Sequence, residues 1–138
     1  MSNLPAKTLF VAGVPLQVEV AATPSARACG LSLRDRIGVN NGMLFVYPDD
    51  QVREFWMKDT RIPLTIAFLD ADGRITELVD MDPERPEHRI RSSQPVRYAL
   101  ETHRGWFHAN AAKTGVIVDL VGHAGSSVIR GAPLPLGH

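Results

Sequence analysis

The chain has 138 residues, of which 44% are apolar and 22% are charged, the composition of one globular domain. Its 15 Lys and Arg balance its 15 Asp and Glu, so the basic excess of a nucleic-acid-binding protein is absent and we expect no nucleic-acid partner. A single cysteine excludes an internal disulfide bond. No run of residues has the length of a membrane span or the pattern of a signal peptide, and we expect a cytoplasmic protein.

The first thirty residues predict a β-hairpin followed by a short helix. Two apolar runs are separated by Gly13-Val14-Pro15, a sequence that is typical of a hairpin turn. Thr23 then offers an N-cap, and a proline stands at the first helical position. We predict a helix over residues 24–30 that ends at the glycine.

The middle of the chain predicts a series of strands. A continuous apolar run over residues 43–47 predicts a buried strand. Pro48-Asp49-Asp50 predicts a turn after it, and another strand is predicted over residues 52–57. Residues 64–69 are apolar on both faces, so this strand should be central in its sheet or barrel. A strong turn sequence separates it from a predicted antiparallel partner over residues 74–81.

The last third of the chain mixes loop and strand signals. Residues 82–95 contain several prolines and many charges and predict a long loop. Residues 96–101 alternate as a strand does, and a short helix with two aromatic anchors is expected over residues 103–110. A last strong strand is predicted over residues 116–121. Residues 124–138 are rich in Gly, Pro and Ser, which predicts a loose C-terminal tail.

Many short strands with turn signals and one or two short helices predict a mainly β (α+β) fold. We expect a single compact antiparallel β-barrel or sandwich of about seven or eight strands. No repeat or linker divides the chain, so residues 1–123 are predicted to form one domain.

Signals for catalysis or metal binding are weak. No two of the five histidines lie four residues apart, as in a helical zinc site, so no metal is expected. Ser92-Ser93 lacks the glycines of a nucleophile elbow, and we expect no cofactor because no phosphate-binding loop or dinucleotide fingerprint is present. Cys29 falls on the apolar face of the predicted helix, where we expect it to be a small buried hydrophobe.

The densest group of candidate residues comes at the end of the strand predicted over residues 52–57. Trp56 points away from its two apolar neighbours, and Lys58, Asp59 and Thr60 follow where the chain begins to turn. In one interpretation these residues only pack, cover a ring and cap the backbone. In the other, Trp56, Lys58 and Asp59 line a cleft, with the ring as a platform and the charges as specificity groups.

Glu101 is the second candidate of interest, because it follows an apolar strand and is expected to be partly buried. A buried carboxylate needs a partner, and Arg34, Lys58 or Arg97 could pair with it, so a structural ion pair is the simplest expectation. Arg34 also stands beside apolar residues and joins the candidate site. The ligand-binding residues predicted from the sequence are Trp56, Lys58, Asp59, Thr60, Arg34 and Glu101.

Four segments of the chain resemble a bacterial and archaeal family known as domain of unknown function 192. They are TPSARACGLSLR (23–34), NNGMLFVYP (40–48), FWMKDTRIPLTIAFLDADGRI (55–75) and PVRYALETHRGWF (95–107). The resemblance implies a compact, mainly β domain with no established reaction, cofactor or substrate. The family typically has Asn at the position of Asp59 and Asp at that of Thr65, so a catalytic role that needs either family residue does not carry over. Many members are also exported behind a signal peptide.

Three functions remain open from the sequence. The first is a non-enzymatic domain that binds a small molecule, glycan or peptide through Trp56, Lys58 and Asp59. The second is a hydrolase-type enzyme with Glu101 or Asp59 as general base, which requires a carboxylate in a closed pocket. The third is a structural or protein-interaction module in which the whole cluster is core. A concave pocket beside Trp56 and Lys58 would favour the first, and a fully buried Trp56 the third.

Overall fold

The computed structural model describes residues 4–121. Within them the chain forms nine strands and two short helices. The strands are β1 (Ala6–Val11), β2 (Val14–Ala21), β3 (Asn41–Gln51), β4 (Glu54–Trp56), β5 (Leu64–Leu69), β6 (Ile75–Met81), β7 (Arg89–Arg91), β8 (Val96–His103) and β9 (Val118–Asp119). The helices are α1 (Pro24–Cys29) and α2 (Trp106–Ala109). The predicted tail over residues 124–138 lies outside the described residues.

Seven of these strands form one sheet in the order β6-β5-β8-β3-β2-β1-β9, and β4 pairs with β7 in a second, small sheet. The mainly β prediction is confirmed. All neighbouring pairs are antiparallel except β2 and β3, which run parallel. A parallel pair needs a long crossover, and α1 with the loop that follows it provides this connection.

The large sheet curls until its two edges meet at one end. Arg74, just before β6, bridges to Ile117, just before β9. The Ile75 N–H donates to the Val116 carbonyl, and the Val118 N–H donates to the Gly73 carbonyl, both at 2.8 Å. Gly73 has φ +86°, and a Cβ there would lie 2.8 Å from the Val118 carbonyl oxygen. A glycine at this position therefore allows the β6 and β9 edges of the sheet to approach each other. Their contact turns the sheet into a half-closed barrel.

The interior of the curled sheet holds one apolar core. Its residues alternate along each strand, as a half-buried strand requires. The α2 helix packs Trp106 and Phe107 into this core. The largest strand residues in the core are Leu9, Leu16, Leu44, Leu69, Tyr98 and Leu100.

A second apolar core lies on the other face of the central strands. It joins the alternate residues of β3, β5 and β8 to Leu31, Met57 and Ile90, which come from the covering loops and the β4–β7 sheet. All six residues of β5 are buried, which confirms the prediction of a central strand covered on both sides.

Three local predictions were wrong. The Pro48-Asp49-Asp50 turn does not form, because β3 continues to Gln51 with an irregular register against β8 after Val46, where the missing N–H of proline breaks no ladder bond. The predicted loop over residues 82–95 contains β7. The last strand shrinks to Val118–Asp119, because only these residues have a partner in β1.

Among residues 4–121, no helix has the length and apolar character needed to cross a membrane.

Candidate functional site

A cleft of about 200 Å³ opens above the second apolar core. Its floor is made by Phe45 of β3, Leu64 of β5 and Glu101 of β8. One wall comes from α1 and the residues that follow it, and the other from β4 and the turn after it. The cleft therefore lies between the barrel and the segments that cover its outer face.

The α1 wall is fixed at both of its ends. The Thr23 side chain accepts a hydrogen bond from the Ala26 N–H at 3.2 Å, and Gly30 ends the helix with φ 51°. The predicted cap and terminating glycine are confirmed. Arg27 donates from Nη1 to the carbonyls of Ala22 and Val46, both at 2.9 Å, which ties the helix to the barrel. Its Nη2 and Nε make no hydrogen bond within the described residues.

Cys29 also lines the α1 side of the cleft. The prediction of a buried hydrophobe was wrong, because its thiol is exposed and lies 3.9 Å from the Ser32 hydroxyl. A helix of six residues shows too few turns for the sequence to define its buried face.

The β4 wall has the alternation that the sequence predicted. Phe55 packs edge-to-face against Phe45 with ring centroids 5.0 Å apart, and Met57 is buried. Trp56 points outward and is 44% exposed. The Lys58 Nζ lies 5.2 Å and the Arg89 guanidinium 4.1 Å from the Trp56 ring centroid. The Trp56 ring thus holds Lys58 at the mouth of the cleft. A ligand that stacked on a ring face occupied by Lys58 or Arg89 would have to displace that side chain.

The turn after β4 explains the role of Asp59. The Thr60 N–H donates to the Met57 carbonyl at 2.9 Å, and the Leu33 N–H donates to the Asp59 carbonyl at 2.7 Å. Asp59 has φ 62° and an exposed side chain outside the cleft lining. Asn and Asp tolerate this left-handed conformation better than most residues, so backbone geometry accounts for an Asn or Asp at this position.

Glu101 is the most buried polar residue that lines the cleft. It lies opposite Met43 on β3 and Ile66 on β5 and is only 5% exposed. Its carboxyl makes no hydrogen bond or ion pair with any of residues 4–121. Burial raises the pKa of Glu101 from 4.5 to about 8, so the side chain is mainly an uncharged acid at pH 7.

The predicted ion pair of Glu101 was wrong, because each expected partner is engaged elsewhere. Arg34 forms a two-pronged pair with Glu19, at 2.6 and 2.8 Å. Arg97 binds Asp50 at 2.7 Å, and Lys58 lies over Trp56. A buried carboxyl without a partner avoids the cost of a buried charge by keeping its proton.

The remaining charges make the cleft electropositive. Tyr47 lies beneath the guanidinium groups of Arg53 and Arg27, at 3.9 and 4.8 Å from its ring centroid. Burial raises the pKa of Tyr47 to about 12 against the opposing effect of these cations, so it is uncharged. Glu54 is neutralised by Arg89 at 3.1 Å. With Glu101 protonated, Arg27 and Lys58 are the unneutralised charges among the described lining residues.

The structure brings together four of the six residues predicted for the site. Trp56, Lys58, Thr60 and Glu101 line the cleft, whereas Arg34 and Asp59 do not. Sequence reasoning did not place Arg27 or Tyr47 in the site. Tyr47 could have been found, because alternation along β3 puts it on the same face as Met43, which lies opposite Glu101.

Other sites in the described part of the chain are weaker candidates. No group of three His, Cys, Asp or Glu residues within 4–121 could hold a metal ion. A second hollow of about 430 Å³ lies beside α2, next to Val39, His103 and Arg104. There the Trp106 Nε1 already donates to the Asn40 Oδ1 at 3.0 Å, and His103 and Arg104 are both exposed. None of the residues that line this hollow is a buried ionisable group that lacks a hydrogen-bond partner.

The same fold occurs in two solved bacterial structures. A candidate transcription regulator from Sinorhizobium meliloti 1021 is 30% identical with a TM-score of 0.80, and the match covers 86% of this chain and 96% of that one. A protein of unknown function from Novosphingobium aromaticivorans DSM 12444 is 29% identical with a TM-score of 0.77, covering 86% and 88%. No curated protein matches the chain.

The resemblance seen in the sequence is confirmed by a family profile. The profile of domain of unknown function 192, described as an uncharacterized ACR, matches residues 7–120. That range includes both walls and the floor of the cleft. The chain belongs to the domain of unknown function 192 family.

Proposed function

We propose that this protein is a non-enzymatic binding domain whose cleft takes a small molecule. The proposal rests on Glu101. This residue lines the cleft, is only 5% exposed, and has no hydrogen-bond partner for its carboxyl among the described residues. No side-chain oxygen that is fully buried among the described residues lacks a partner, so the Glu101 carboxyl oxygens keep contact with solvent in the cleft. A ligand that bonds Glu101 would take the place of that solvent.

The walls of the cleft support binding over a purely structural role. A core tryptophan would be buried, but Trp56 is 44% exposed. Lys58 has no ion pair with any of residues 4–121, and Arg27 keeps two nitrogens without a hydrogen bond in that range. These donors face a cavity rather than a partner, which is the arrangement of a polar recognition site.

The size of the cleft favours a small ligand over a glycan or a peptide. Its volume is about 200 Å³, below the roughly 300–1,000 Å³ of pockets that take drug-sized ligands. The cleft therefore suits a compact molecule, about the size of a single ring with one polar group. Apolar side chains at Leu31, Phe45 and Met57 would contact the hydrocarbon part of such a molecule.

A hydrolase is the second candidate, and the raised pKa of Glu101 favours it. A group with a pKa of about 8 can exchange a proton near neutral pH. However, no other polar side chain within residues 4–121 hydrogen-bonds Glu101 to orient it. Asp59, the other proposed general base, lies in an exposed turn outside the cleft lining.

One solved neighbour is described as a candidate transcription regulator, but this description does not favour DNA binding by this chain. Binding to DNA relies on a basic excess that neutralises phosphates. This chain has equal numbers of basic and acidic residues. A regulator that senses a small molecule would still need a cleft of this kind.

A thermal-shift screen of a small-molecule library tests the proposed function. Binding stabilises the native state by about 2.7 kcal/mol at a ligand concentration of 100 Kd. We expect at least one compound to raise the Tm of the wild type, and to raise it less in Lys58→Ala. The matched control is Lys113→Ala, which removes an exposed lysine outside the cleft.

The same variants separate the alternatives. A compound that shifts Lys58→Ala and wild type equally would contradict binding in this cleft. Mass spectrometry of each hit after incubation distinguishes binding from turnover, because a hydrolase converts its ligand. Recovery of unchanged compound is the result expected of a binding domain.

A further inference from the structure

We propose that the ligand of the cleft is a small carboxylate-bearing anion that accepts a hydrogen bond from Glu101 in its uncharged acid form. Lys58 and Arg27 would hold the same anion from the walls. This inference rests on the proposed function and adds to it the chemical class of the ligand. It also makes the affinity depend on the protonation of one residue.

The balance of charge in the cleft argues for an anion. Glu54 is paired with Arg89 at 3.1 Å, so the acidic residue on the wall is already neutralised. Lys58 and Arg27 lack a carboxylate partner among residues 4–121. An anion would meet both cations, whereas an ammonium ligand would be repelled by them.

The surroundings of Glu101 explain why it would bind as an acid. The cleft-lining residues of β3 and β5 nearest to it along the strands, Phe45 and Leu64, are apolar. None of the ionisable side chains around it hydrogen-bonds the carboxyl, and burial raises its pKa to about 8. These groups are Arg27 and Cys29 of α1, Tyr47 of β3, Glu54 of β4, Lys58 of the turn after β4, and the exposed His103 further along β8.

A carboxylate is an anion that such an acid can hold strongly. A hydrogen bond from an uncharged carboxyl to a carboxylate is charge-assisted, short and roughly twice as strong as a neutral one. Two carboxyl groups that share one proton are stable where two carboxylates would repel each other. The free Nη2 and Nε of Arg27 match the planar, two-oxygen shape of the ligand group.

Proton linkage gives this arrangement a defined pH dependence. A bound carboxylate opposes ionisation of Glu101, so the complex keeps a proton that the free protein loses above pH 8. The affinity should be constant below about pH 7 and fall by up to tenfold per pH unit above 8. A ligand that required the Glu101 carboxylate would show the opposite trend, with affinity rising up to pH 8.

Benzoate, benzamide and benzylamine test the inference, because they share a ring and differ in charge. Each is titrated into the full chain between pH 6.5 and 9.5, and binding is followed by amide NMR shifts. We expect benzoate to bind most tightly, with Kd about fifteenfold higher at pH 9.5 than at pH 8. In Glu101→Gln the amide still donates, so benzoate should bind without that pH dependence. Lys58→Ala should raise Kd about tenfold, and Lys113→Ala should not change it.

The other outcomes overturn the inference in distinguishable ways. One such outcome is that benzylamine binds most tightly, that its affinity increases with pH, and that Glu101→Gln abolishes its binding. The cleft would then bind small molecules, but cations and not anions. Equal binding of benzoate and benzamide would show that charge is not recognised. If no compound of the series perturbs the cleft amides, the inference fails, and if the library screen also gives no hit, the proposed function fails with it.

Discussion

At the scale of single residues, Glu101 has an unusual effect on stability. Its pKa is raised from 4.5 to about 8 by burial. The native state therefore holds a proton that the unfolded chain releases above about pH 4.5. By linkage, the free energy of unfolding falls between these two pH values, by up to 1.36 kcal/mol per pH unit. The contribution of this one carboxyl to the stability of the wild type thus falls as the pH rises from 4.5 to 8.

Substituting Glu101→Gln should remove this loss. The amide has nearly the same shape and no ionisation, so the variant should gain stability relative to the wild type by on the order of 4 kcal/mol as the pH rises from 4.5 to 8.5. Urea unfolding of both proteins at the two pH values measures the difference and cancels the titration of all other groups. A difference that is the same at both pH values would contradict a raised pKa at Glu101.

Part of the candidate site could be predicted residue by residue. Trp56, Lys58 and Thr60 follow from one strand and its end, because alternation and the turn are local properties. The burial of Glu101 followed from its strand in the same way. Its lack of a partner could not be predicted, because the sequence does not show that Arg34 pairs with Glu19 and Arg97 with Asp50. Those are contacts between distant segments.

At the scale of elements, the cleft depends on two thin covering layers. One is α1, a helix of six residues held by its cap and by the Arg27 hydrogen bonds. The other is the small sheet of β4 and β7. The sequence predicted α1 and β4 from local signals. It missed β7, because three residues amid prolines and charges form a strand only through pairing with β4.

The two tryptophans test whether β4 is a cover rather than core. Trp56 on β4 is 44% exposed and Trp106 on α2 is 4% exposed. We expect Trp56→Ala to lower the free energy of unfolding by about 1 kcal/mol or less. Trp106→Ala should lower it by about 3–5 kcal/mol. Chemical denaturation of the two variants measures both changes, and an equally large loss in Trp56→Ala would be incompatible with the exposed position of its ring.

At the scale of the whole molecule, the barrel and the cleft are separate. The inner core is sealed by α2 and by the closure near Gly73, while the cleft uses only the outer face of β3, β5 and β8. The many short alternating strands were enough to predict a mainly β barrel or sandwich. The parallel pairing of β2 with β3 was not predictable, because a crossover through α1 leaves no local pattern that fixes which strands become neighbours. Trp56 and Lys58 are exposed at the mouth of the cleft and belong to neither core, so these two residues can change without breaking the barrel.

The location of a bound ligand decides between the cleft and the larger hollow beside α2. The measurement is the change in backbone amide NMR shifts when a hit from the library screen is added to the full chain. Binding in the cleft should give the largest changes at Gly30, Met57, Lys58 and Glu101, and smaller changes at the same ligand concentration in Lys58→Ala. Changes that cluster instead at Asn40, His103 and Trp106 would contradict it.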